Sequence, residues 1–474
     1  MLYTRVSYPA LSFSRMLIRR SIASKKGAVS VSKPSTSWQT KWPERISYGL
    51  SDAADNLVFQ VMTSYLLFFY TDIYGLQAGA VALLFLIARI ADVFESPIVG
   101  LMIDHTHSRF GKSRPFFLWY ALPYAIFAVL TFVTPGWSAN GKLVWAYVTY
   151  LMLGFLYTAV NLPITSVLPT LTQQPQELTL LGVIRQFFGS SVQIIVAVFT
   201  LPLVAFFGRG NDQRGFLLTM TLFAGISLVL ILNTFIHIRE RFTQEKIAHQ
   251  PLKVVAKIAV HNRPWLLLSL IIFTYWLLTA IKNQTTVYYF KYTLHDQGLV
   301  SWANSFTFSS LIGVLLILII AGRYGNKHTM RLGMIIGLIG QLVMAGGVYA
   351  RNLWILFPGI LINSVGQGMI VGLVSIMLAD TIRYGVTLGA QAEGLFASSN
   401  DFGVNLGLGI GGLITAGLFD LTGYVPNTSQ NAATLGMINL NYVWLPLLLY
   451  GLLLLLIHFY PEKQMLAAIE KHRA

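Results

Sequence analysis

Apolar stretches of about 20 residues recur along most of the chain, separated by short turns rich in Gly, Pro, Asn or charge. A helix rises about 1.5 Å per residue, so a stretch of this length spans a hydrocarbon core of about 30 Å. Twelve such stretches can be found, centred near Thr63, Ile90, Ala125, Phe155, Ile194, Ser227, Leu277, Gly313, Ile339, Val365, Gly409 and Tyr450. The pattern predicts an all-α membrane protein with twelve transmembrane helices.

Lysine and arginine are concentrated in alternate turns between these helices. The turn after the second helix holds Arg109, Lys112 and Arg114, and the turns after the sixth, eighth and tenth helices are also basic. Cytoplasmic loops are the ones enriched in these cations. We therefore expect a multi-pass protein of the inner (plasma) membrane with both termini in the cytoplasm.

The longest internal turn divides the predicted helices into six and six. We expect an N-terminal half at 44–237, a linker with an amphipathic helix at 238–263, a C-terminal half at 264–461 and a cytoplasmic tail at 462–474. A weak repeat relates 109–114, after the second helix, to 322–328, after the eighth, although two unrelated basic turns would look the same. Two six-helix halves are the layout of alternating-access transporters, which bind substrate between the halves.

The first 43 residues contain eight Lys or Arg and no acid. Their composition resembles a transit peptide. We expect instead a disordered basic tail or a start codon placed too far upstream, because nothing else in the chain indicates an organelle.

Composition supports a membrane location. Of 474 residues, 55% are hydrophobic and 11% are charged, whereas soluble proteins have roughly 25% charged residues. The net charge of +15 is expected to face anionic lipid in the bilayer rather than nucleic acid. There is no cysteine, which excludes disulfides and thiolate metal sites.

Polar residues interrupt the first predicted helix on one face. Tyr48, Asp52, Asp55 and Asn56 recur at three- and four-residue spacing there. Aromatic, carboxylate and amide groups together suit a sugar, because they contact its C–H face and its hydroxyls. The alternative is hydrogen bonding between helices, which is common for polar residues in membranes.

Three ionisable residues interrupt the second helix. Asp92 and Glu95 share a face and could bind a cation or share a proton, with Thr158 of the fourth helix adding a hydroxyl. Arg89 lies one turn before Asp92, so a purely structural ion pair is the alternative. Ionisable groups inside a membrane are costly and therefore indicate function.

Further polar residues follow along the chain. Asn161 lies beside the helix-kinking Pro163, and Arg185 must find an acid such as Asp52 or Asp55, or a bound substrate. The C-terminal half contributes a polar set that also fits simple helix packing: Lys282, Gln284, Tyr288, Tyr289, Asn363, Gln367, Asn400, Asp401 and Asn405. Phosphate-binding loops and nucleophile elbows are absent from the sequence. We therefore expect no enzyme activity and no cofactor, and transport driven by an ion gradient or by the substrate's own gradient.

Several ordered motifs resemble those of the glycoside–pentoside–hexuronide:cation symporters, the melibiose permease-like family of the major facilitator superfamily. They lie at 47–56, 68–72, 88–92, 104–112, 114–115, 379–385 and 392–394. The resemblance implies the major facilitator fold and import of a sugar or glycoside with Na⁺, Li⁺ or H⁺. It also implies sugar binding at Asn56, Asn161 and Arg185, and cation binding at Asp92 and Thr158, with Na⁺ at Asp92 if sodium is used.

Three positions depart from the family pattern. Ser96 stands where relatives often have Asp, so a proton is the favoured ion unless Glu95 substitutes. Asn405 stands where Lys is frequent, and Arg383 replaces a common acid. The stretch 103–107 resembles relatives assigned to xylosides and plant-derived oligosaccharides.

The expected mechanism is alternating access by a monomer. Tyr48, Asp52, Asp55, Lys282 and Asn405 are expected to join the substrate site, and Asp104, Arg109, Lys112 and Arg114 to gate the cytoplasmic side through charge-assisted hydrogen bonds. Arg185 and Lys282 would equally suit an anionic substrate: a glucuronide, a sulfonated sugar or a lysolipid. A membrane enzyme or sensor is the remaining alternative, which the short loops disfavour.

Overall fold

A computed structural model describes residues 38–242, 260–388 and 393–473 of the chain. Helices joined by short turns make up these ranges, and no β-strand occurs within them. Residues from Gln39 onward form one compact unit. Most of the predicted basic tail and the predicted linker helix lie outside the described residues, as does part of the 392–394 motif.

Residues 38–242 form the first set of helices, called here the N-segment. They are α1 (Trp42–Phe68, continued by a π-helical turn at Phe69–Ile73), α2 (Ala78–His105), α3 (Arg114–Trp119), α4 (Ala121–Leu130), α5 (Ala139–Leu171), α6 (Pro175–Gly208) and α7 (Asp212–His237).

Residues from 260 onward form the second set, called here the C-segment. They are α8 (Arg263–Tyr288, continued by a π-helical turn at Tyr289–Thr293), α9 (Leu299–Ser305, followed by a 3₁₀ turn at Phe306–Ser309), α10 (Ser310–Tyr324), α11 (Asn326–Tyr349), α12 (Leu353–Thr387), α13 (Glu393–Leu421), α14 (Ala432–Asn439, followed by a π-helical turn at Leu440–Trp444), α15 (Leu445–His458) and α16 (Glu462–Arg473).

Nine helical stretches in the described ranges are long and apolar enough to cross a membrane. The protein is therefore a multi-pass, all-helical membrane protein. The helices α1 and α2 are not among the nine, although they have 27 and 28 residues. They carry the polar and ionisable residues of the predicted site, and α2 alone holds Arg89, Asp92 and Glu95.

The helix predicted near Ala125 is interrupted at Tyr120, between α3 and α4. Pro123 lies in the first turn of α4, where its ring and missing N–H prevent a helical hydrogen bond to the preceding turn. At the chain start, α1 begins at Trp42, and Gln39 and Thr40 donate backbone N–H groups to Glu177 on α6. The predicted boundary at residue 44 lies two residues later than this helix start.

The two segments are joined at one end of the bundle by hydrogen bonds to Asp72. Its carboxylate accepts from Lys291 at 2.8 Å, from Tyr424 at 2.5 Å, and from Tyr292. Nearby, the Gly79 N–H donates to Asp420 at 3.0 Å. We call Asp72, Lys291, Tyr292 and Tyr424 the Asp72 cluster.

At the opposite end, one carboxylate in each segment accepts hydrogen bonds from backbone N–H groups of a turn in the same segment. Glu240 accepts from the backbone N–H groups of Lys112, Ser113 and Arg114 at 2.8–3.0 Å. Glu462 accepts from the N–H of Lys327 at 3.0 Å. The glycines before these amides, Gly111 and Gly325, both have positive φ, which L-residues adopt only with strain. The weak sequence repeat therefore corresponds to two similar turns.

Candidate functional site

The ionisable residues of α2 face the protein interior. The exposed apolar side chains of this helix lie on the opposite face and include Leu83, Leu86, Ile90, Phe94, Ile98 and Leu101. Arg89 Nη1 lies 2.7 Å from Asp92 Oδ2. Glu95 is 7% exposed, and Thr158 Oγ1 of α5 donates to its Oε2 at 3.2 Å. The structure therefore brings Asp92, Glu95 and Thr158 together, as the sequence indicates.

Gly154 of α5 leaves a small space beside both carboxylates. A methyl group at this position would lie 3.6 Å from Glu95 Oε1 and 3.9 Å from Asp92 Oδ1. Asp92 Oδ1 is the oxygen that Arg89 does not bind. Hard cations prefer such oxygen ligands, so the space can hold one small cation, and either acid can hold a proton.

An aromatic pair borders the same cavity. The rings of Phe59 on α1 and Tyr157 on α5 are stacked with centroids 5.0 Å apart. The cavity also includes Asp92, Glu95 and, from α13 of the C-segment, Asn405. Cavities with an apolar wall and a few convergent polar groups are typical small-molecule sites. The carboxylates of α2 and the aromatic pair thus border one space.

Arg185 on α6 finds its acid in Asp52. Arg185 Nε donates to Asp52 Oδ1 at 2.7 Å and its Nη1 donates to Thr165 at 3.1 Å. The side chains are 26% and 14% exposed, so the pair is largely shielded from water. Asn56 Nδ2 donates to Asp52 Oδ2 at 3.1 Å. Both oxygens of Asp52 are therefore occupied.

The carboxylate of Asp55 is more deeply enclosed. It is 1% exposed, and Asn161 Nδ2 and Tyr124 donate to its two oxygens at 2.6 and 3.4 Å. Tyr48 is fully buried and its hydroxyl donates to the carbonyl of Ile164 at 3.2 Å. These contacts join α1 to α4 and α5 and fit the helix-packing alternative for Asp55 and Tyr48.

Two predicted substrate residues lie on the C-segment. Lys282 is buried, and its ammonium group donates to Asn363 on α12. Neither residue borders the cavity of Asp92. Asn405 does border it, and its backbone carbonyl accepts from Arg89 Nη1 at 3.3 Å.

The predicted gating residues lie in and beside the turn between α2 and α3. Asp104 and Arg109 are exposed, and Arg109 stacks on Phe110 with its guanidinium 4.7 Å from the ring centroid. Arg114 Nε donates to the carbonyl of Phe235 at 2.7 Å. The turn is held to the end of α7 through backbone amides and Arg114, and no ion pair of Asp104, Arg109 or Lys112 occurs among the described residues.

Comparison with known families assigns this architecture. Residues 47–463 match the model of the family described as MFS/sugar transport protein. The chain belongs to this family. The MFS, or major facilitator superfamily, transporter is therefore a sugar-transport symporter rather than an enzyme, and the resemblance stated from its motifs is confirmed.

Curated relatives of this MFS transporter match over most of their length. The isoprimeverose transporter of Lactiplantibacillus pentosus is 42% identical over 441 residues, covering 91% of this chain and 92% of the relative. An uncharacterized symporter of Bacillus subtilis (strain 168) is 32% identical over 430 residues, covering 88% and 91%. A glucuronide carrier protein homolog of Escherichia coli (strain K12) is 30% identical over 430 residues, covering 89% and 93%.

Solved structures support the fold of the MFS transporter. The crystal structure of a D-xylose-proton symporter matches with a TM-score of 0.66 at 12% identity, covering 88% of this chain and 97% of the other. At this identity the match shows the major facilitator type of fold and nothing about substrate.

Several residues at the site of the MFS transporter could not be identified from the sequence. Tyr150 and Phe85 border the cavity, Thr165 and Gln193 bind Arg185 and Asn56, and Tyr124 binds Asp55. In a membrane helix, single aromatic, Thr or Gln residues are common packing residues, so nothing in the sequence distinguishes them. Among the described residues, no cluster of three or more His, Cys, Asp or Glu forms a candidate metal site.

Proposed function

We propose that this protein imports a sugar or glycoside together with a monovalent cation by alternating access. The observation that carries the proposal is the single cavity shared by Asp92, Glu95, the Phe59–Tyr157 pair and Asn405. It lies between the N-segment and the C-segment, where alternating-access carriers bind substrate. The transported ion is H⁺ or Na⁺, and no cofactor takes part.

The segments act as two six-helix halves of a twelve-helix fold. We count α1, α2 and the α3–α4 pair as spans in addition to the nine apolar helices. With 27 and 28 residues, α1 and α2 are about 40 Å long, more than a hydrocarbon core of about 30 Å. The basic turns favour cytoplasmic termini in the plasma membrane. One chain supplies both halves and the cavity between them, which favours a functional monomer.

Charge arithmetic favours one monovalent cation per cycle. Arg89 neutralises Asp92, which leaves Glu95 as the uncompensated charge beside Gly154. One bound H⁺ or Na⁺ between Glu95, Asp92 Oδ1 and Thr158 makes the group neutral. A neutral group can be enclosed when the halves close around sugar, whereas a bare carboxylate resists burial.

A neutral xyloside is the favoured substrate. The 42% identical relative is an isoprimeverose transporter. Asp52 already neutralises Arg185, and Lys282 donates to Asn363 away from the cavity of Asp92. Neither cation borders that cavity as a partner for an anion. A glucuronide is the second candidate, because one relative is a glucuronide carrier homolog.

The protein in this conformation is closed at the outer side by the Asp72 cluster. The turns of Lys112 and Arg114 and of Lys327 lie at the cytoplasmic side, where each half binds its own carboxylate, Glu240 or Glu462. During the cycle the gating residues Asp104, Arg109, Lys112 and Arg114 close that side.

Transport by purified protein in proteoliposomes tests the function. We expect labelled isoprimeverose to exchange in counterflow, and to accumulate under an imposed proton or sodium gradient. p-Nitrophenyl xyloside should compete and p-nitrophenyl glucuronide should not. Accumulation that depends on neither the proton nor the sodium gradient would contradict symport. Stronger competition by the glucuronide than by the xyloside would favour an anionic substrate.

Replacement of Asp72 by asparagine is expected to open the outer side. The amide keeps the shape of Asp72 but loses the charge that holds Lys291, Tyr292 and Tyr424. The chain has no cysteine, so a cysteine introduced at cavity residue Thr63 is the sole thiol. We expect D72N to increase its labelling from the outside by a membrane-impermeant thiol reagent about tenfold, as expected for loss of a charge-assisted bond of about 1.5 kcal/mol.

Asp296→Asn is the matched control for this experiment. Asp296 is exposed, and among the described residues its carboxylate accepts from the N–H of Gly298 in its own turn alone. Its variant should label like the parent. Equal labelling of D72N and D296N from the outside would show that the Asp72 cluster does not close the protein.

A further inference from the structure

The side-chain oxygen of Gln284 on α8 is buried and has no hydrogen-bond partner among the described residues. Its side chain is 7% exposed, and no described residue lies within hydrogen-bond distance of its Oε1. Gln284 borders a cavity that adjoins the one at Asp92, since Phe59, Arg89 and Tyr150 line both. A buried amide oxygen that finds no donor costs free energy, and where its residue also borders a cavity it is a candidate to bind a ligand there.

Arg89 presents a second unpaired atom to the same cavity. Its Nη1 binds Asp92 and the carbonyl of Asn405, and its Nη2 binds Tyr150. Its Nε is buried and has no acceptor among the described residues. The cavity is therefore bordered by an unused N–H donor from the N-segment and an unused acceptor from the C-segment.

Two glycines of α13 lie beside these residues: Gly409 beside Arg89 and Gly412 beside Gln284. A methyl group at Gly412 would lie 3.0 Å from Phe85 Cδ2 and 3.1 Å from Gln284 Nε2, and one at Gly409 would overlap the side chain of Arg89. Any larger residue at either position would fill the space in front of Gln284 or displace Arg89. These two glycines border the cavity, and their lack of side chains lets Arg89 and Gln284 approach the backbone of α13.

We infer that Arg89 and Gln284 bind one hydroxyl of the transported sugar. A hydroxyl donates one hydrogen bond and accepts up to two, so it can accept from Arg89 Nε and donate to Gln284 Oε1. The ring then contacts Phe59 and Phe85. This inference rests on the proposed function and adds Gln284 to it as a residue that selects the substrate.

The subsite links sugar binding to the cation site. Arg89 holds both Asp92 and the sugar hydroxyl, while Gln284 belongs to the opposite segment. A sugar that carries this hydroxyl draws the two segments together and fixes Arg89 beside Asp92. A sugar without it loses both interactions.

The test is a set of mono-deoxy analogues of isoprimeverose, competed against labelled isoprimeverose in counterflow. For the wild type we expect one analogue to bind about 100-fold more weakly than the parent sugar, because it loses two hydrogen bonds of about 1.4 kcal/mol each. Gln284→Leu removes one of the two bonds, so it should weaken the parent sugar about tenfold and leave that analogue nearly unchanged. Gly412→Ala should also weaken the parent sugar, because its methyl group would crowd Phe85 and Gln284 and displace the amide from the cavity.

Gln341→Leu is the matched control. Gln341 is also buried and also has an unpaired Oε1, but it lies on α11 and borders neither cavity. It should keep the wild-type discrimination. If Gln284→Leu weakens every sugar equally, or none, the subsite is wrong even though counterflow confirms a sugar carrier. If the wild type exchanges no glycoside at all, the proposed function fails together with the subsite.

Discussion

Replacement of Glu95 by glutamine is expected to abolish concentrative uptake while sugar exchange continues. Glu95 supplies the uncompensated negative charge of the Arg89–Asp92–Glu95 group, since Arg89 is already paired with Asp92 at 2.7 Å. The glutamine side chain is permanently neutral and resembles the cation-loaded state. The carrier can then close around sugar without its ion, so the gradient no longer drives accumulation.

The expected effect is large because the whole driving force is lost. Moving one charge across 100 mV releases about 2.3 kcal/mol. For one cation per sugar, this allows roughly 50-fold accumulation. For E95Q we expect an accumulation ratio of about one, with a counterflow rate within a few-fold of the wild type. Both quantities are measured in the same proteoliposomes with labelled isoprimeverose.

Glu470→Gln controls for the loss of an acid elsewhere. Glu470 is exposed on α16, far along the chain from the cavity residues. This variant should accumulate sugar normally. Concentrative uptake by E95Q equal to that of E470Q would remove Glu95 from the coupling mechanism and leave Asp92, despite its ion pair, as the candidate.

The positions of the helices, and the inward orientation of their acidic residues, could be predicted from the sequence for physical reasons. A membrane span needs an apolar stretch of fixed length, so the stretches around Thr63 and Ile90 predict α1 and α2 directly. Charged groups avoid lipid, so Asp52, Asp92 and Glu95 had to face the interior. Spacing of three residues also predicts the contact of Arg89 with Asp92.

Contacts between helices distant in sequence were not predictable from one sequence. Nothing in the spacing of Asp52 and Arg185 selects this pair over Asp55 and Arg185, because the choice depends on how α6 lies against α1. The close approach at Gly189, which faces Asp52, decides it. For the same reason the sequence identifies Asp72 only as the end of the 68–72 motif, although its carboxylate binds residues more than 200 positions away.

Removing one partner of the Asp52–Arg185 pair is expected to damage transport more than removing both. In Asp52→Asn, the guanidinium of Arg185 remains in a shielded site with Thr165 and no carboxylate. In Arg185→Gln, the charge of Asp52 remains alone. An uncompensated charge in such a site costs about 3 kcal/mol at the lower end of the usual range, which corresponds to roughly 100-fold weaker binding or slower closure.

The double variant D52N/R185Q should recover part of this loss, because two neutral amides can hydrogen-bond where the ions were. Counterflow of isoprimeverose by the two single variants and the double variant gives the interaction free energy of the pair. Only D52N leaves an uncompensated cation on α6, so it should gain competition by p-nitrophenyl glucuronide, whereas R185Q should not. Losses that simply add in the double variant would mean that each residue contacts the sugar separately, and unchanged glucuronide competition in D52N would show that Asp52 does not exclude anions.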